Sequence, residues 1–256
     1  MTRSSRSNEG LAGGGPSIVV PSMWSPGGNP GHPLTEEERA LLAVIATVVR
    51  YKKGETIYKE GGPVLAVFNL IAGVAKSYAK NSDDQRPYIV GFLFPNDLFG
   101  LAESGKYVNS AEAVTPVTAY KIPIMALEAR LRNNPTLDFQ VIAKLCHDLR
   151  EAQRHAFLLS KHRSIVKVGF FIQMLETMQA HQPGAIGEVY LPMSRSDIAA
   201  YTAMSPEAVS RSFSDLVSRG AISLRDRRHV KIIDRALLEA VVSGSGTLTA
   251  RRAFGN

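Results

Sequence analysis

The segment LPMSRSDIAAYTAMSPEAVSRSFSDLVSRGAISLRDRRHVKII, from Leu191 to Ile233, decides the fold of the C-terminal part of the chain. Ser194 can cap a helix that begins at Arg195, because Asp197 stands at the third helical position, as in a capping box. Ser205 can cap a second helix over residues 206–218, which has a proline at its first position. Two short helices joined by a tight turn predict a helix-turn-helix.

The second helix of such a unit enters the major groove of DNA with its N-terminal residues first. Glu207 can accept a hydrogen bond from cytosine, Arg211 can grip guanine, and Ser210 can serve either base, so these three are the candidate base contacts. Residues 221–224 and 229–233 predict a hairpin with a basic tip, which is the wing. The candidate phosphate contacts are polar or basic residues of this segment: Ser194, Arg195, Ser205, Ser212, Arg219, Arg227 and Arg228. The alternative is that Glu207 and Arg211 form an ordinary surface pair at i,i+4.

Upstream, residues 135–163 predict a long helix with a narrow apolar seam. The seam residues are spaced alternately by three and four over about three heptads, the pattern of two helices packed side by side. We therefore predict a homodimer, although the same helix could instead pack on its own chain. The predicted interface consists of Ile142, Leu145, Leu149, Ala152, Ala156 and Leu159.

Residues 33–134 form a second predicted domain. A short helix from Thr35 to about Thr47 is followed by short β-rich runs, separated by turn signals roughly every ten residues, and then by a short helix over 123–134. The pattern is typical of an all-β sandwich or barrel. The predicted fold class is α+β, with this β domain, the long helix and a winged helix-turn-helix over 164–243. Residues 1–32 are expected to be a disordered arm and 244–256 a flexible tail.

Composition narrows the function. The 256-residue chain has a formal net charge of +7, which favours a polyanionic partner. It shows neither a signal peptide nor an apolar run of the roughly 18 to 20 residues that a membrane span needs, so we expect a cytoplasmic protein without membrane contact. Its one cysteine, Cys146, cannot form an intrachain disulfide or a cysteine-only metal site. Cys146 and His147 point about 100° apart on a helix and make a poor nucleophile and base, so no catalytic residues or metal ligands are assigned.

The chain resembles the Crp/Fnr superfamily of bacterial regulators over about residues 48–242. The resemblance rests on the turn FPNDLFG at 94–100, on LPMSRSDIA at 191–199 and on the E-x-x-S-R motif that begins at Glu207. It implies a double-stranded β-roll sensor domain like those that bind cyclic nucleotides, and it places the chain on the FixK and Fnr side of the family. It also implies that Glu207, Ser210 and Arg211 read a TTGAT-like half-site. RNA polymerase is an expected partner, for which the loop 81–85 is a candidate contact.

The chain departs from the family pattern in three places. An Fnr-type iron–sulfur cluster needs four cysteines and is excluded. The Arg-Ser pair that neutralises a cyclic phosphate is replaced by Asn109-Ser110, which argues against cAMP. Ala203 stands where the family has glycine, and a positive φ there would cost about 1 kcal/mol.

The sequence is compatible with three hypotheses for the signal that controls the protein. A FixK-like regulator can bind DNA with no ligand and no cofactor, which is the leading hypothesis. Haem ligated by one of His147, His155 and His162, or oxidation of Cys146, are the alternatives, although surface histidines and an inert thiol are the more common cases. A β-roll whose helix-turn-helix mediates protein contacts is a further alternative.

Overall fold

The computed structural model describes residues 40, 42–80, 87–179 and 188–243. The predicted arm 1–32, the cap at Thr35, the loop 81–85 and the tail 244–256 lie outside these residues. The helix predicted to reach Thr47 ends earlier. Residues 47–51 instead form a strand, because this β-branched and aromatic run pairs antiparallel with residues 117–121.

Eight strands build the N-terminal domain as two four-stranded sheets. Their bounds are β1 Thr47–Tyr51, β2 Thr56–Tyr58, β3 Ala66–Ala72, β4 Ala75–Lys80, β5 Pro87–Leu93, β6 Leu98–Phe99, β7 Ser110–Ala113 and β8 Val117–Pro123. The first sheet has the order β1-β8-β3-β6 and the second β2-β7-β4-β5, and all described pairs are antiparallel. Buried side chains from both sheets form one cluster, so the sheets pack face to face as a β-roll.

Both outer faces of the roll are also covered. Strand β3 places Phe68 and Leu70 in the core between the sheets, while Val67 points to the other face. Helix α1, Ile124–Arg132, and helix α2, Pro135–Leu159, pack over that face through Leu127 and Leu137. The alternation of inward and outward residues explains why β3 is apolar on both sides.

Helix α2 begins as predicted and ends earlier than predicted. Asn134 caps it by accepting a hydrogen bond from the Leu137 amide at 3.1 Å, and Pro135 occupies the first turn. The helix ends at Leu159 instead of near His162, and the Ser160 hydroxyl donates to the Phe157 carbonyl at 2.7 Å. Helix α3, Ser164–Gln179, follows after a short connection.

The C-terminal domain is a winged helix-turn-helix, as predicted. It contains β9 Glu188–Tyr190, α4 Arg195–Thr202, α5 Pro206–Ser218, β10 Ile222–Leu224, β11 His229–Ile232 and α6 Arg235–Ser243. The wing hairpin has Ile222 opposite Ile232. Strand β9, which pairs with β11, and helix α6 were not predicted. This domain shares one buried cluster with Phe92 and Phe94 of the roll, so it packs directly on the second sheet.

Two turn glycines of the roll have positive φ and different surroundings. Gly54 has φ +79° with open space where a Cβ would stand, whereas Gly73 has φ +90° and a Cβ would lie 2.1 Å from the Pro116 carbonyl oxygen. Both positions therefore disfavour alanine, but only the second also lacks room for it.

We predict that Gly73→Ala destabilises the protein by about 2–5 kcal/mol, the sum of left-handed backbone strain and overpacking. Gly54→Ala is the matched control and is expected to cost only the strain of about 1–2 kcal/mol. Urea unfolding followed by circular dichroism measures both. Equal losses for the two variants would contradict the backbone clash at Gly73.

Candidate nucleic-acid interface

The first helix of the helix-turn-helix, α4, has the predicted capping box. The Ser194 hydroxyl accepts from the Asp197 amide at 3.0 Å, and Asp197 Oδ2 accepts from the Ser194 amide at 3.0 Å. Ser194 also donates its hydroxyl to the same carboxylate at 2.6 Å. Ser194 is thus an exposed cap whose hydroxyl hydrogen is already engaged within the chain.

The turn between the two helices has the strained conformation considered for Ala203. This residue caps the C-terminus of α4 with φ 51° and ψ 55°, in the left-handed region. Its amide donates to the Ala199 carbonyl, so the turn closes without glycine. The cost remains about 1 kcal/mol, and the motif survives it.

Helix α5 presents the three candidate base contacts to solvent near its N-terminus. Glu207, Ser210 and Arg211 are exposed, while Val209 and Phe213 are buried on the opposite side. Ser205 caps the helix by accepting from the Ala208 amide at 3.2 Å. The described ion pairs do not include one between Glu207 and Arg211, so the surface pair that was the alternative does not occupy these groups.

Glu207 is held in its ionised form. Its own backbone amide and the Ser205 hydroxyl, followed by the charge of Arg211, lower the pKa of its carboxyl from the ordinary value. An ionised carboxylate at this position is purely an acceptor, as recognition of a base amino group requires.

Ser212 departs from the prediction of a phosphate contact. It is 3% exposed, and its hydroxyl donates to the Ala208 carbonyl at 2.8 Å. Its position one residue after Arg211 turns it toward the core, where Val209 and Leu216 pack. A backbone contact from this side chain is therefore ruled out in this conformation.

The Arg195 guanidinium, at the start of α4, is partly buried. The Arg195 guanidinium lies 3.5 Å from the ring centre of Phe213, and its NH1 nitrogen is buried with no hydrogen-bond partner among the described residues. Burial, followed by the charge of Arg227, lowers the pKa of Arg195 to about 10, so it is still fully charged at neutral pH. A partly buried guanidinium with an unsatisfied donor, under the charge of a second arginine, is suited to bind an anion such as a phosphate.

The wing tip is shaped by one carboxylate. Asp226 Oδ1 accepts from the backbone amides of Arg228 at 2.6 Å and His229 at 3.0 Å, which folds the tip into a compact turn. Arg227 and Arg228 are exposed there, and Arg228 donates to the Tyr190 hydroxyl at 3.4 Å. Arg219 lies at the far end of α5, about 18 Å along the helix from Glu207, and belongs to a different part of the surface.

Two basic or polar residues outside the predicted motif join this surface. Arg163 and Ser164, at the N-terminus of α3, line a concave region of about 540 Å³ together with Ser210, Arg211 and Ser214 of α5. A helix N-terminus beside an exposed arginine attracts phosphate groups. The sequence carried no signal for this neighbourhood, because 46 positions separate Ser164 from Ser210.

Helix α4 is tied to the rest of the molecule at both ends. Lys76 of β4 lies 2.8 Å from Asp197 and 3.1 Å from Glu112. At the other end, His155 Nε2 lies 2.7 Å from the Tyr201 carbonyl oxygen and Lys167 Nζ donates to the Thr202 carbonyl at 2.9 Å. Three elements therefore fix the position of the helix-turn-helix.

His155 is not a solvated surface histidine. Its ring stacks on Tyr201 with centres 4.0 Å apart and planes 7° apart. Of the three candidate haem ligands, it is therefore engaged by its own chain, whereas His162 is exposed and lies beyond the end of α2. The described histidine, cysteine, aspartate and glutamate side chains do not form a group of three that could hold a metal ion.

All six residues of the predicted dimer seam are exposed along α2. Ile142, Leu145, Leu149 and Leu159 are 39–61% exposed, and Ala152 and Ala156 are exposed between them. The opposite face of the helix, with Leu137, Val141 and Leu158, is buried against its own chain. Cys146 is an exposed free thiol next to Leu145. No described helix is long and apolar enough to cross a membrane.

Two families match separate parts of the chain. Residues 168–241 match the Crp-like helix-turn-helix domain, and residues 48–134 match the cyclic nucleotide-binding domain. The first range contains α4, α5 and the wing, and the second contains the β-roll. The match agrees with the division of the fold into these two regions.

Characterised relatives match over most of their length. The chain is 31% identical over 195 residues to the nitrogen fixation regulation protein FixK of Bradyrhizobium diazoefficiens, covering 76% of this chain and 81% of that protein. It is 29% identical to the transcriptional activator protein Anr of Pseudomonas aeruginosa, covering 75% and 79%. The structure of FixK2 from Bradyrhizobium japonicum is similar with a TM-score of 0.71 at 29% identity, covering 77% and 97%.

We predict a pH-dependent contribution of His155 to stability. Burial, and to a smaller extent the charge of Lys167, lower the pKa of this imidazole against the opposing effect of the Tyr201 carbonyl. The unfolded chain therefore takes up the proton first. The stabilisation is complete above the unfolded pKa of about 6.5 and declines as the pH falls from there toward the folded pKa.

The measurement compares the free energy of unfolding of the wild type and His155→Phe between pH 7.5 and 5.5. The phenyl ring keeps the stack on Tyr201 but cannot titrate, so the wild type should lose more stability on acidification than the variant. His162→Phe, at an exposed position, should lose stability in parallel with the wild type. Parallel curves for His155→Phe would contradict the assignment.

Proposed function

Because the chain belongs to the Crp/Fnr family of transcription regulators, on the side of its FixK and Fnr members, we propose that it binds a TTGAT-like inverted repeat as a homodimer. The observation that carries the proposal is the exposed face of α5. Glu207, Ser210 and Arg211 stand at the N-terminal end of this helix, where a recognition helix meets base edges.

The phosphate backbone would be held around this helix at two places. Arg195 stacks on Phe213 of α5 under the charge of Arg227, and Arg163 and Ser164 line the concave region beside Arg211. Contacts of this kind fix the register of the protein on DNA without reading the sequence. They also predict a steep decrease of affinity with salt.

The homodimer follows from the chemistry of α2. One face of this helix is buried in its own chain, and the other is an apolar seam with charged residues on both sides, which suits a second copy of the same helix. An inverted DNA repeat requires a protein with matching two-fold symmetry. RNA polymerase is the proposed partner through which DNA binding would change transcription.

We further propose that DNA binding requires neither a cyclic nucleotide nor an iron–sulfur cluster. The single cysteine does not supply the ligands of a cluster. The residue at the position of the phosphate-binding arginine, Asn109, accepts a hydrogen bond from the Tyr58 hydroxyl at 3.4 Å and carries no charge. The ligand-free protein is therefore the form to test on DNA.

The decisive experiment titrates the ligand-free protein onto a labelled duplex with a TTGAT-type palindrome and onto a scrambled duplex at the same salt. We expect tight binding to the palindrome alone. Arg211→Ala should lose about 1–3 kcal/mol of binding free energy and bind the two duplexes more equally. Ser212→Ala, at the buried neighbouring position, should bind DNA as the wild type does. Equal, weak binding of the wild type to both duplexes would overturn the proposal.

The proposed dimer seam of α2 can be tested by introducing a single charge. Leu149→Lys places a charge in the centre of the seam in each copy, and burying it without a partner should cost about 3–5 kcal/mol. Sedimentation should then show a monomer with weakened DNA binding. Met125→Lys, at a 72% exposed apolar position on α1, is the control and should remain dimeric. A Leu149→Lys protein that stays dimeric would place the interface elsewhere.

A further inference from the structure

The interior of the β-roll is filled by four aromatic rings from its own chain. Tyr107 stacks on Tyr58 with ring centres 4.0 Å apart and planes 15° apart, and Tyr58 and Phe99 both neighbour Phe68. All four are less than 10% exposed. The stack therefore replaces the open interior that a ligand-binding roll of this kind would need.

Tyr107 is fixed in this position by its hydrogen bonds. Its hydroxyl donates to the buried Ala66 carbonyl at 2.7 Å, so the polar end of the ring is satisfied inside the roll. Its backbone exchanges hydrogen bonds with the turn opposite, since its amide donates to Gly62 at 2.9 Å and its carbonyl accepts from Gly61 at 2.8 Å. These hydrogen bonds fix the position and the orientation of the Tyr107 ring.

Two rings of the stack, Tyr58 and Phe99, line a cavity between the second sheet, α2 and the helix-turn-helix. The cavity of about 290 Å³ is lined by Tyr58, Gly100 and Asn109, among others. A Cβ built on Gly100 would lie only 3.3–3.4 Å from the rings of Tyr58, Phe68 and Tyr107. The rings thus press directly against the turn that borders the cavity.

The remaining cavity does not fit a cyclic nucleotide. Among its described lining residues Lys144 is the only lysine or arginine, and the Lys144 ammonium is already paired with Asp97 and Asp148. Both of those carboxylates and that of Glu151 line the same space. A cyclic phosphate there would face three carboxylates with no free buried cation to compensate it.

We propose that Tyr107, stacked on Tyr58, is a built-in substitute for a small-molecule ligand, which holds the β-roll in the shape that supports DNA binding without an effector. The inference deepens the proposed function and rests on it only for the DNA-binding readout. Occupancy of the roll by the ring can be tested without DNA.

Two series of contacts connect the aromatic stack to other elements. One leads to α4 of the helix-turn-helix, and the other leads to α2, which carries the predicted dimer seam. On one side, the chain continues from Tyr107 into β7, which contains Glu112. Lys76 is paired both with Glu112 and with Asp197 at the start of α4. On the other side, Phe99 follows Asp97 by two residues, and Asp97 lies 3.2 Å from the buried Lys144 of α2. Removing the ring would loosen the segments that carry both anchors.

The test is chemical rescue of Tyr107→Ala with phenol, which supplies the ring and the hydroxyl that the substitution removes. The variant should lose roughly 10 °C in Tm through the cavity it creates. A tenfold excess of phenol over its dissociation constant should return roughly 3–6 °C. It should also restore most of the affinity for the palindromic duplex, which we expect to fall about tenfold without it.

Two controls accompany the rescue. Tyr107→Phe keeps the ring and loses only the hydrogen bond to Ala66, and Tyr88→Ala removes a half-exposed tyrosine of β5. Neither protein, nor the wild type, should gain in Tm with phenol. Should Tyr107→Ala not fold, Tyr107→Leu fills part of the space without a ring and should still lose affinity for the palindromic duplex relative to Tyr107→Phe.

An Asn109→Arg variant tests occupancy from the other direction. It restores a cation beside the cavity while the ring stack stays in place, so calorimetry with 3′,5′-cyclic AMP should show no binding at about 1 mM, the weak end of measurable affinity. Binding by this variant, or an absence of rescue while the wild type binds the palindrome, would overturn the inference. A wild type that ignores the palindrome while Tyr107→Ala is rescued in Tm would instead overturn the proposed function.

Discussion

The position of one short helix, Arg195–Thr202, is fixed by polar contacts at both of its ends. At the N-terminus, Asp197 closes the capping box and also receives Lys76 from the β-roll. At the C-terminus, the carbonyls that a helix leaves unsatisfied are met by His155 from α2 and Lys167 from α3. A cation at a helix C-terminus and an anion at its N-terminus both follow the helix dipole, so the ties between domains also stabilise the helix itself. Because the turn at Ala203 is tight, the contacts that fix α4 also fix the orientation of the second helix, α5.

The buried charges between the β-roll and helices α2 and α4 specify how these elements pack more than they add to the free energy of unfolding. Lys144 is 4% exposed, and burial acts against its charge, but Asp97 and Asp148 raise the pKa of its ammonium group overall. Lys76 shows the same balance between burial and its partners Asp197 and Glu112. Such pairs gain little over an apolar replacement, yet breaking one leaves an uncompensated charge. A sliding of α2 or α4 against the roll would break them, which restricts the domains to the observed packing.

The features that could be predicted from the sequence are those with short-range causes. Caps such as Ser194 and Ser205, the first-turn proline of α5 and the seam of α2 each involve residues within a few positions of one another, and the structure has the predicted helices α2, α4 and α5. What could not be predicted depends on distant contacts. Ser212 has the composition of a phosphate contact, but the phase of the helix turns it inward. Arg163 meets the recognition helix only through the packing of α3, and no local pattern signals the stacking of Arg195 on Phe213.

In the proposed dimer, the same packing would link the seam of α2 to the spacing of the DNA contacts. Helix α2 ends at Leu159, a seam residue, and α3 begins only five residues later at Ser164, beside the recognition helix. Since His155 and Lys167 contact α4 from these two helices, a change in how two copies of α2 pack in the proposed dimer would move α4 and α5 of both copies. The small residues Ala152 and Ala156 lie in the half of the seam nearest this junction, where close approach of the helices has the largest effect on the separation of the DNA-binding domains. Half-sites in the major groove recur every 34–36 Å or so along DNA, so in the proposed dimer the approach of the two α2 helices would help to set which palindrome spacing fits.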